Sequence, residues 1–157
     1  MEKYILTELS EDNAKEICSW RYEGEYSVYN FSDWDTVMKN KWDLAIEEKR
    51  KLEFLAIYLN NELISYGRIF LKEGKVFIGI GVKPSLCGKG HGKNIMNLLI
   101  EECKRRFPNN AIGLEVRSFN KRAINCYKKV GFVIKEKYIK KTFDNSKDEF
   151  YYMEYIN

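Results

Sequence analysis

Val82-Lys-Pro-Ser-Leu-Cys-Gly-Lys-Gly-His-Gly-Lys93 is the stretch on which the reading of this chain turns. An apolar strand pattern ends at Val82, glycines alternate at 88, 90 and 92, and an amphipathic helix pattern begins. Glycines let a backbone approach a ligand closely and turn its N–H groups inward. A helix start adds unpaired N–H donors and a partial positive charge. Together they make a pocket for a pyrophosphate, held by Gly88, Lys89, Gly90, His91, Gly92 and Lys93, with the two lysines adding charge. Two other phosphate loops fail the count. A Walker A loop ending at Gly92-Lys93 needs glycine at 87 and serine or threonine at 94, and finds Cys87 and Asn94. A dinucleotide fingerprint from Gly88 needs glycine at 93 and finds Lys93. The plain alternative is a turn without a ligand, and three glycines between a strand and a long helix weigh against it.

Working outward, Tyr4–Glu8 reads as a strand, and Ser10 caps a helix running to about Trp20. Residues 20–31 have no clean period and are rich in tyrosine. Ser32 is expected to cap a second helix through Ile46, with Trp34, Val37, Met38, Trp42 and Ala45 at helical spacing. A strand meander follows: Glu53–Leu59, a turn at Asn60-Asn61, Leu63–Leu71, a turn over Lys72–Lys75, and Val76–Val82. The next helix spans about Gly90–Phe107, with Ile95, Leu98, Leu99, Cys103 and Phe107 facing the core. Ala111–Val116 is strand-like. Asn120 caps a short helix ending at Gly131, where a left-handed residue is favoured. Two strands, Val133–Phe143 and Phe150–Ile156, flank a turn at Asp144–Asp148. The expected fold is α/β (α+β): one domain over residues 1–157, built on a mixed, mostly antiparallel sheet of six or seven strands with helices on both faces.

Composition narrows the class. Of 157 residues, 45% are hydrophobic and 15% aromatic, enough for a packed core. No 18-residue apolar run exists, and Met1-Glu2-Lys3-Tyr4 does not open a secretion signal, so a cytoplasmic protein that is neither secreted nor membrane-bound is expected. Four scattered cysteines, Cys18, Cys87, Cys103 and Cys126, and a single histidine argue against a zinc site or a disulfide framework. The net charge of +4 comes from interleaved lysine and glutamate, so nucleic acid is not an expected partner. The local exceptions are Lys83, Lys89 and Lys93, and the 135–141 stretch.

A second motif lies downstream: Leu114-Glu-Val-Arg-Ser-Phe-Asn-Lys-Arg-Ala-Ile-Asn-Cys-Tyr-Lys-Lys-Val-Gly-Phe132. With the glycine loop, it resembles the GNAT superfamily of N-acetyltransferases. That family's acetyl-CoA signature is [Q/R]-x-x-G-x-[G/A]; here the six residues are Cys87 to Gly92, with Cys87 in place of the leading glutamine or arginine. The second motif matches L-E-V-x-x-x-N-x-x-A-x-x-x-Y-x-x-x-G-F at every anchor. The close resemblance covers residues 76–132. Within the family, the second motif looks most like the ribosomal-protein N-terminal alanine acetyltransferases (the RimI-like branch), where a glutamate also lies twelve residues before the tyrosine.

The resemblance implies acetyl-CoA as cosubstrate and no metal. It implies that the backbone of Ile80, Gly81 and Val82 pairs with the pantetheine arm and supplies an oxyanion donor, and that Asn120 contacts the same arm. Tyr127 is the candidate general acid, since a phenol with a pKa near 10 is protonated at neutral pH and can donate to a thiolate; a core aromatic is the alternative. Glu115, on the face of its strand opposite Leu114 and Val116, is the candidate base, with a salt-bridged strand residue as the alternative. Cys87 reads as an inert substitution and His91 as a loop residue near phosphate. The acceptor site in this family forms from the loop between the first helices and the last hairpin. Here these supply Tyr22, Glu23, Glu25, Tyr26 and Tyr29, with Tyr151 and Tyr152 behind them. Acids among aromatics suit a cationic amine, on a small molecule or a protein N-terminus. A homodimer stays open. The competing class is a CoA-binding regulatory module without turnover.

Overall fold

Two turns shape the middle of the chain. Asn60 and Asn61 have φ of 52° and 64°, and Glu73 and Gly74 have 52° and 79°, so each pair is left-handed throughout. Such turns match the right-handed twist of flanking strands. They connect strand β2 (Phe54–Leu59) to β3 (Glu62–Lys72), and β3 to β4 (Lys75–Val82). The other strands are β1 (Tyr4–Glu8), β5 (Ile112–Arg117), β6 (Phe132–Lys141) and β7 (Lys147–Tyr155). The computed structural model describes residues 3–142 and 144–156. Its hydrogen-bonded strand order is β1-β2-β3-β4-β5-β7-β6. β1/β2, β2/β3, β5/β7 and β6/β7 run antiparallel, while β4 and β5 are parallel through Val76–Ile112 and Phe77–Gly113. The expected mixed, mostly antiparallel sheet is therefore present, and the described residues form five α-helices: α1 (Glu11–Ser19), α2 (Trp34–Lys39), α3 (Glu47–Glu53), α4 (Gly92–Arg106) and α5 (Lys121–Val130).

Contacts group the chain into two compact units, Met1–Arg68 with Ile80–His91, and Ile69–Gly79 with Gly92–Asn157. In the first, Ser10 and Asn13 satisfy each other's backbone N–H groups at the start of α1, as a capping box does. α1 buries Ala14, Ile17 and Cys18 in a core shared with Leu9, Val37, Leu44, Phe54 and Ala56. The single helix expected from Ser32 to Ile46 is instead broken. Asp33, not Ser32, caps α2 by accepting from the Thr36 N–H. α2 stops because Lys41 takes a left-handed φ of 54°, which a helix cannot continue. A 3-10 turn over Asp43–Ala45 and α3 follow, so α3 takes residues 47–52, which the sequence reading assigns to no element, and Glu53, which it makes the start of a strand. Arg68 on β3 ties the pieces down, reaching Asp43 at 2.6 Å and Glu53 at 2.8 Å.

In the second unit, α4 buries Ile95, Met96, Leu99, Ile100 and Cys103, a broader face than expected, while Leu98 and Phe107 are half-buried. Asn120 caps α5 by accepting from the Ala123 N–H, and Gly131 ends it with φ of 116°. β7 starts three residues before the expected Phe150 because Lys147 already pairs with Lys141. Phe143, the expected end of the preceding strand, lies outside the described residues.

Candidate transferase site

The glycines of the loop have separate causes. Gly88 and Gly90 adopt φ of 74° and 86°, which side chains resist. Gly92 opens α4 and is needed for space: a Cβ there would stand 2.8 Å from Cys126 Sγ. Lys89 and Lys93 are exposed. Lys83, grouped with them by sequence, is paired with Glu62 at 2.9 Å. The Cys87 thiol folds back on the strand end, donating to the carbonyls of Val82 and Lys83 at 3.5 and 3.7 Å. His91 sits beside Tyr4, whose hydroxyl is 2.9 Å from Nδ1.

The end of β4 has a defined polarity. Lys83 N–H donates to Ile64 O at 2.8 Å, and Gly81 O accepts from Ser65 Oγ at 2.7 Å. Alternate residues of a strand address opposite edges, so Gly81 and Lys83 face β3 while Ile80 and Val82 face away from it. Of the three backbone positions expected to meet a pantetheine arm, Gly81 is thus turned to its neighbour strand. It contributes the absence of a side chain. Val82 O also accepts from Tyr22 Oη at 2.7 Å.

That bond pins the tyrosine-rich loop to the strand end. Asn30 holds Tyr22 from both sides, accepting from its N–H at 2.7 Å and donating to its carbonyl at 3.3 Å. Tyr29 packs edge-on against the Tyr22 ring at 6.4 Å. The aperiodic segment contains a 3-10 turn, Gly24–Tyr29, that leaves Glu23 and Glu25 exposed and Tyr26 and Tyr29 half-buried. Sequence reasoning missed Tyr66 and Trp20, whose rings lie 6.2 Å apart beside Gly81 and Phe31. Nothing in the local pattern could have marked Tyr66, which reads as an ordinary strand aromatic.

In the second unit, Tyr127 is buried on α5 with its ring 6.2 Å from Phe132, and the Asn120 cap precedes it by two turns. Glu115 spends one carboxylate oxygen on the Tyr138 hydroxyl and the other on the Lys140 ammonium. Burial and the Glu115 bond push the Tyr138 phenol well above its ordinary pKa. Tyr152 lies over Gly113 and donates to Glu154 at 2.8 Å, and Tyr151 faces Lys121 at 6.0 Å. These contacts tie Tyr152 to the sheet and set Tyr151 beside the start of α5. The thiols of Cys18 and Cys103 are pushed by burial to about 11 and about 12, and that of Cys126 also rises. Among the described residues, no cluster of three His, Cys, Asp or Glu side chains could hold a metal.

The model of the acetyltransferase (GNAT) family matches residues 14–132. The chain belongs to the GNAT acetyltransferase family. Solved GNAT structures share its fold throughout. Spermidine N-acetyltransferase from Vibrio cholerae, in complex with CoA and spermine, is 18% identical, with 98% of this chain and 94% of that one covered at a TM-score of 0.74. An aminoglycoside acetyltransferase in complex with coenzyme A is 20% identical, with 96% and 93% covered and a TM-score of 0.72. The ribosomal-protein-S18-alanine N-acetyltransferase from Escherichia coli is 17% identical, with 98% and 93% covered and a TM-score of 0.67. No curated protein matches this GNAT chain by sequence. Its similarity to enzymes with three kinds of acceptor does not single out the alanine acetyltransferase branch. No helix among the described residues is long and apolar enough to cross a membrane.

Proposed function

We propose that residues 1–157 act as one cytoplasmic acetyl-CoA-dependent N-acetyltransferase domain whose acceptor is a primary amine. One observation carries the reading: left-handed Gly88 and Gly90 lead directly into the start of α4 between exposed Lys89 and Lys93. Backbone amides there suit a diphosphate, and the side-chain loss at Cys87 matters little to contacts made by backbone. Ile80 and Val82 offer an extended edge to the pantetheine arm, one N–H serving the developing oxyanion. In the transfer, the neutral amine nitrogen attacks the thioester carbon, the C–S bond breaks, and the thiolate takes a proton from Tyr127. The amine sheds its own proton to water, and solvent restores the phenol. Both oxygens of Glu115 are engaged, which supports its role as a salt-bridged strand residue over that of base. Exposed Glu23 and Glu25 beside Tyr26 and Tyr29 suit a cationic acceptor, either a small polyamine-like molecule or a peptide N-terminus.

Calorimetry with CoA and acetyl-CoA, followed by thiol release with a panel of amines, tests the reading. Binding with amine-dependent thiol release supports it. Absence of binding refutes the whole proposal. Binding without release for any amine, unchanged by Tyr127→Phe, would instead make the chain a regulatory CoA-binding module.

A further inference from the structure

The side-chain space of Gly81 is filled by Tyr66. A Cβ at Gly81 would stand 2.3 Å from Cε1, 2.6 Å from Cζ and 2.8 Å from Oη of that ring. Only glycine admits this approach, so the Tyr66 hydroxyl is held against the last residues of β4. Ser65, the neighbouring residue of β3, fixes the Gly81 carbonyl at 2.7 Å and keeps the strand end in place. Trp20 and Phe31 pack around the phenol with ring centroids 6.2 Å away.

This cluster leaves hydrogen bonds unmade. Among the described residues, the Tyr66 hydroxyl has no hydrogen-bond partner, and the Trp20 indole N–H, in a residue only 6% exposed, is buried without one. An unpaired buried donor costs about 1–3 kcal/mol, and native proteins keep few of them. Tyr66, half-buried on the neighbouring ring, differs from Trp20 in that its hydroxyl oxygen can still accept a hydrogen bond from a ligand beside the backbone assigned to the acyl donor.

We propose that Tyr66 is an acceptor-side residue of the transfer site, its hydroxyl oxygen taking a hydrogen bond from the N–H of the bound primary amine. This rests on the reading of Ile80–Val82 as the strand end that holds the thioester. A hydrogen bond on one N–H fixes the direction of the nitrogen lone pair, and positioning of this kind is a large part of what a site can add to such an attack. Tyr66 does not remove the proton. Burial pushes its phenol up to about 12, so it stays neutral across the working pH range and serves as a dipole. The aromatic walls of Trp20 and Phe31 suit the alkyl stem of the amine.

Tyr66→Phe removes the hydroxyl and keeps the ring over Gly81. Acetyl-CoA affinity, measured by calorimetry, should stay within about twofold of wild type, while kcat/KM for every accepted amine falls about tenfold, the worth of one such hydrogen bond. Unchanged amine kinetics overturn the inference and leave the transferase reading intact. A parallel loss of acetyl-CoA affinity overturns it as well, since it marks a packing role. Failure of the wild type to bind acetyl-CoA removes both readings. A second readout needs no kinetics. In protein labelled at tyrosine Cζ and saturated with CoA, the Tyr66 resonance should move on amine addition, and a resonance that stays put through amine saturation refutes the contact.

Discussion

Replacing Gly92 with alanine tests why the loop needs its third glycine. Gly88 and Gly90 are required by their left-handed φ, but Gly92 begins α4, and its constraint is the Cys126 Sγ standing 2.8 Å from where a Cβ would be. Alanine favours a helix over glycine by about 0.5–1 kcal/mol, so in open space the change would stabilise. Here either the first turn of α4 must move or Sγ must turn, and a helix bars one of the three χ1 wells. Overpacking costs about 1–3 kcal/mol. The contact therefore outweighs the propensity, and the net loss is about 1 kcal/mol, or roughly 2–4 °C in Tm for a chain of this length. Thermal melts and acetyl-CoA calorimetry on wild type, Gly92→Ala, Cys126→Ala and the double variant decide it. Cys126→Ala deletes Sγ and leaves a Cβ at 4.0 Å, an ordinary contact. Gly92→Ala should thus lower Tm in the wild-type background and raise it in the Cys126→Ala background, a coupling of about 1–2 kcal/mol. Acetyl-CoA affinity should fall about fivefold in the single variant, equivalent to about 1 kcal/mol, and return in the double. The same Tm change in both backgrounds would refute the steric argument.

Tyr127→Phe should lower kcat by about a hundredfold, the usual worth of a positioned general acid, with acetyl-CoA affinity kept; an unchanged kcat would return Tyr127 to packing against Phe132. Asn120→Ala removes the acceptor for the Ala123 N–H and should cost about 1 kcal/mol in chemical denaturation, as cap losses do. Glu115→Gln should leave kcat and its pH profile as in wild type, because the carboxylate pairs with Lys140 and Tyr138; a selective loss of turnover at low pH would restore the base. Glu102 accepts from Arg105 first, at 3.1 and 2.5 Å, and from Arg106 at 2.7 Å, and these bonds hold its carboxyl below the ordinary range. A depressed carboxylate contributes stability above its unfolded pKa, about 4.3, and loses that contribution as pH falls through the folded value. The Tm gap between wild type and Glu102→Gln should therefore hold from pH 7 to 5 and close below about pH 4; a gap that persists in acid excludes the ion pairs as its cause.

Much of this chain is local chemistry, and local chemistry is legible in order along the sequence. Glycines at 88, 90 and 92, asparagines at 60 and 61, the Asn120 cap and the Gly131 stop each act on the backbone within a few residues. They mark the loop, the hairpin, α5 and the order of elements without any knowledge of what lies across the fold. The sequence misleads where a local rule has a local rival. Trp34 to Ile46 keeps helical spacing, yet the left-handed Lys41 divides it, and the pieces are anchored by Arg68, far along the chain on β3. For Glu115, which matches a family anchor, the sequence does not show that its carboxylate accepts from Tyr138 and Lys140 on another strand.

What a side chain can do depends on what it touches, and touching is decided between residues far apart in sequence. The sequence by itself determined that a strand, a glycine loop and a helix start follow one another, because those preferences belong to the backbone of the residues concerned. Only the tertiary structure decided that Tyr22 would reach Val82, that Tyr66 would fill the space of Gly81, and that Cys126 would crowd a side chain at Gly92. Side-chain packing is close and short-ranged, so no pattern in one segment can announce which distant residue it will meet.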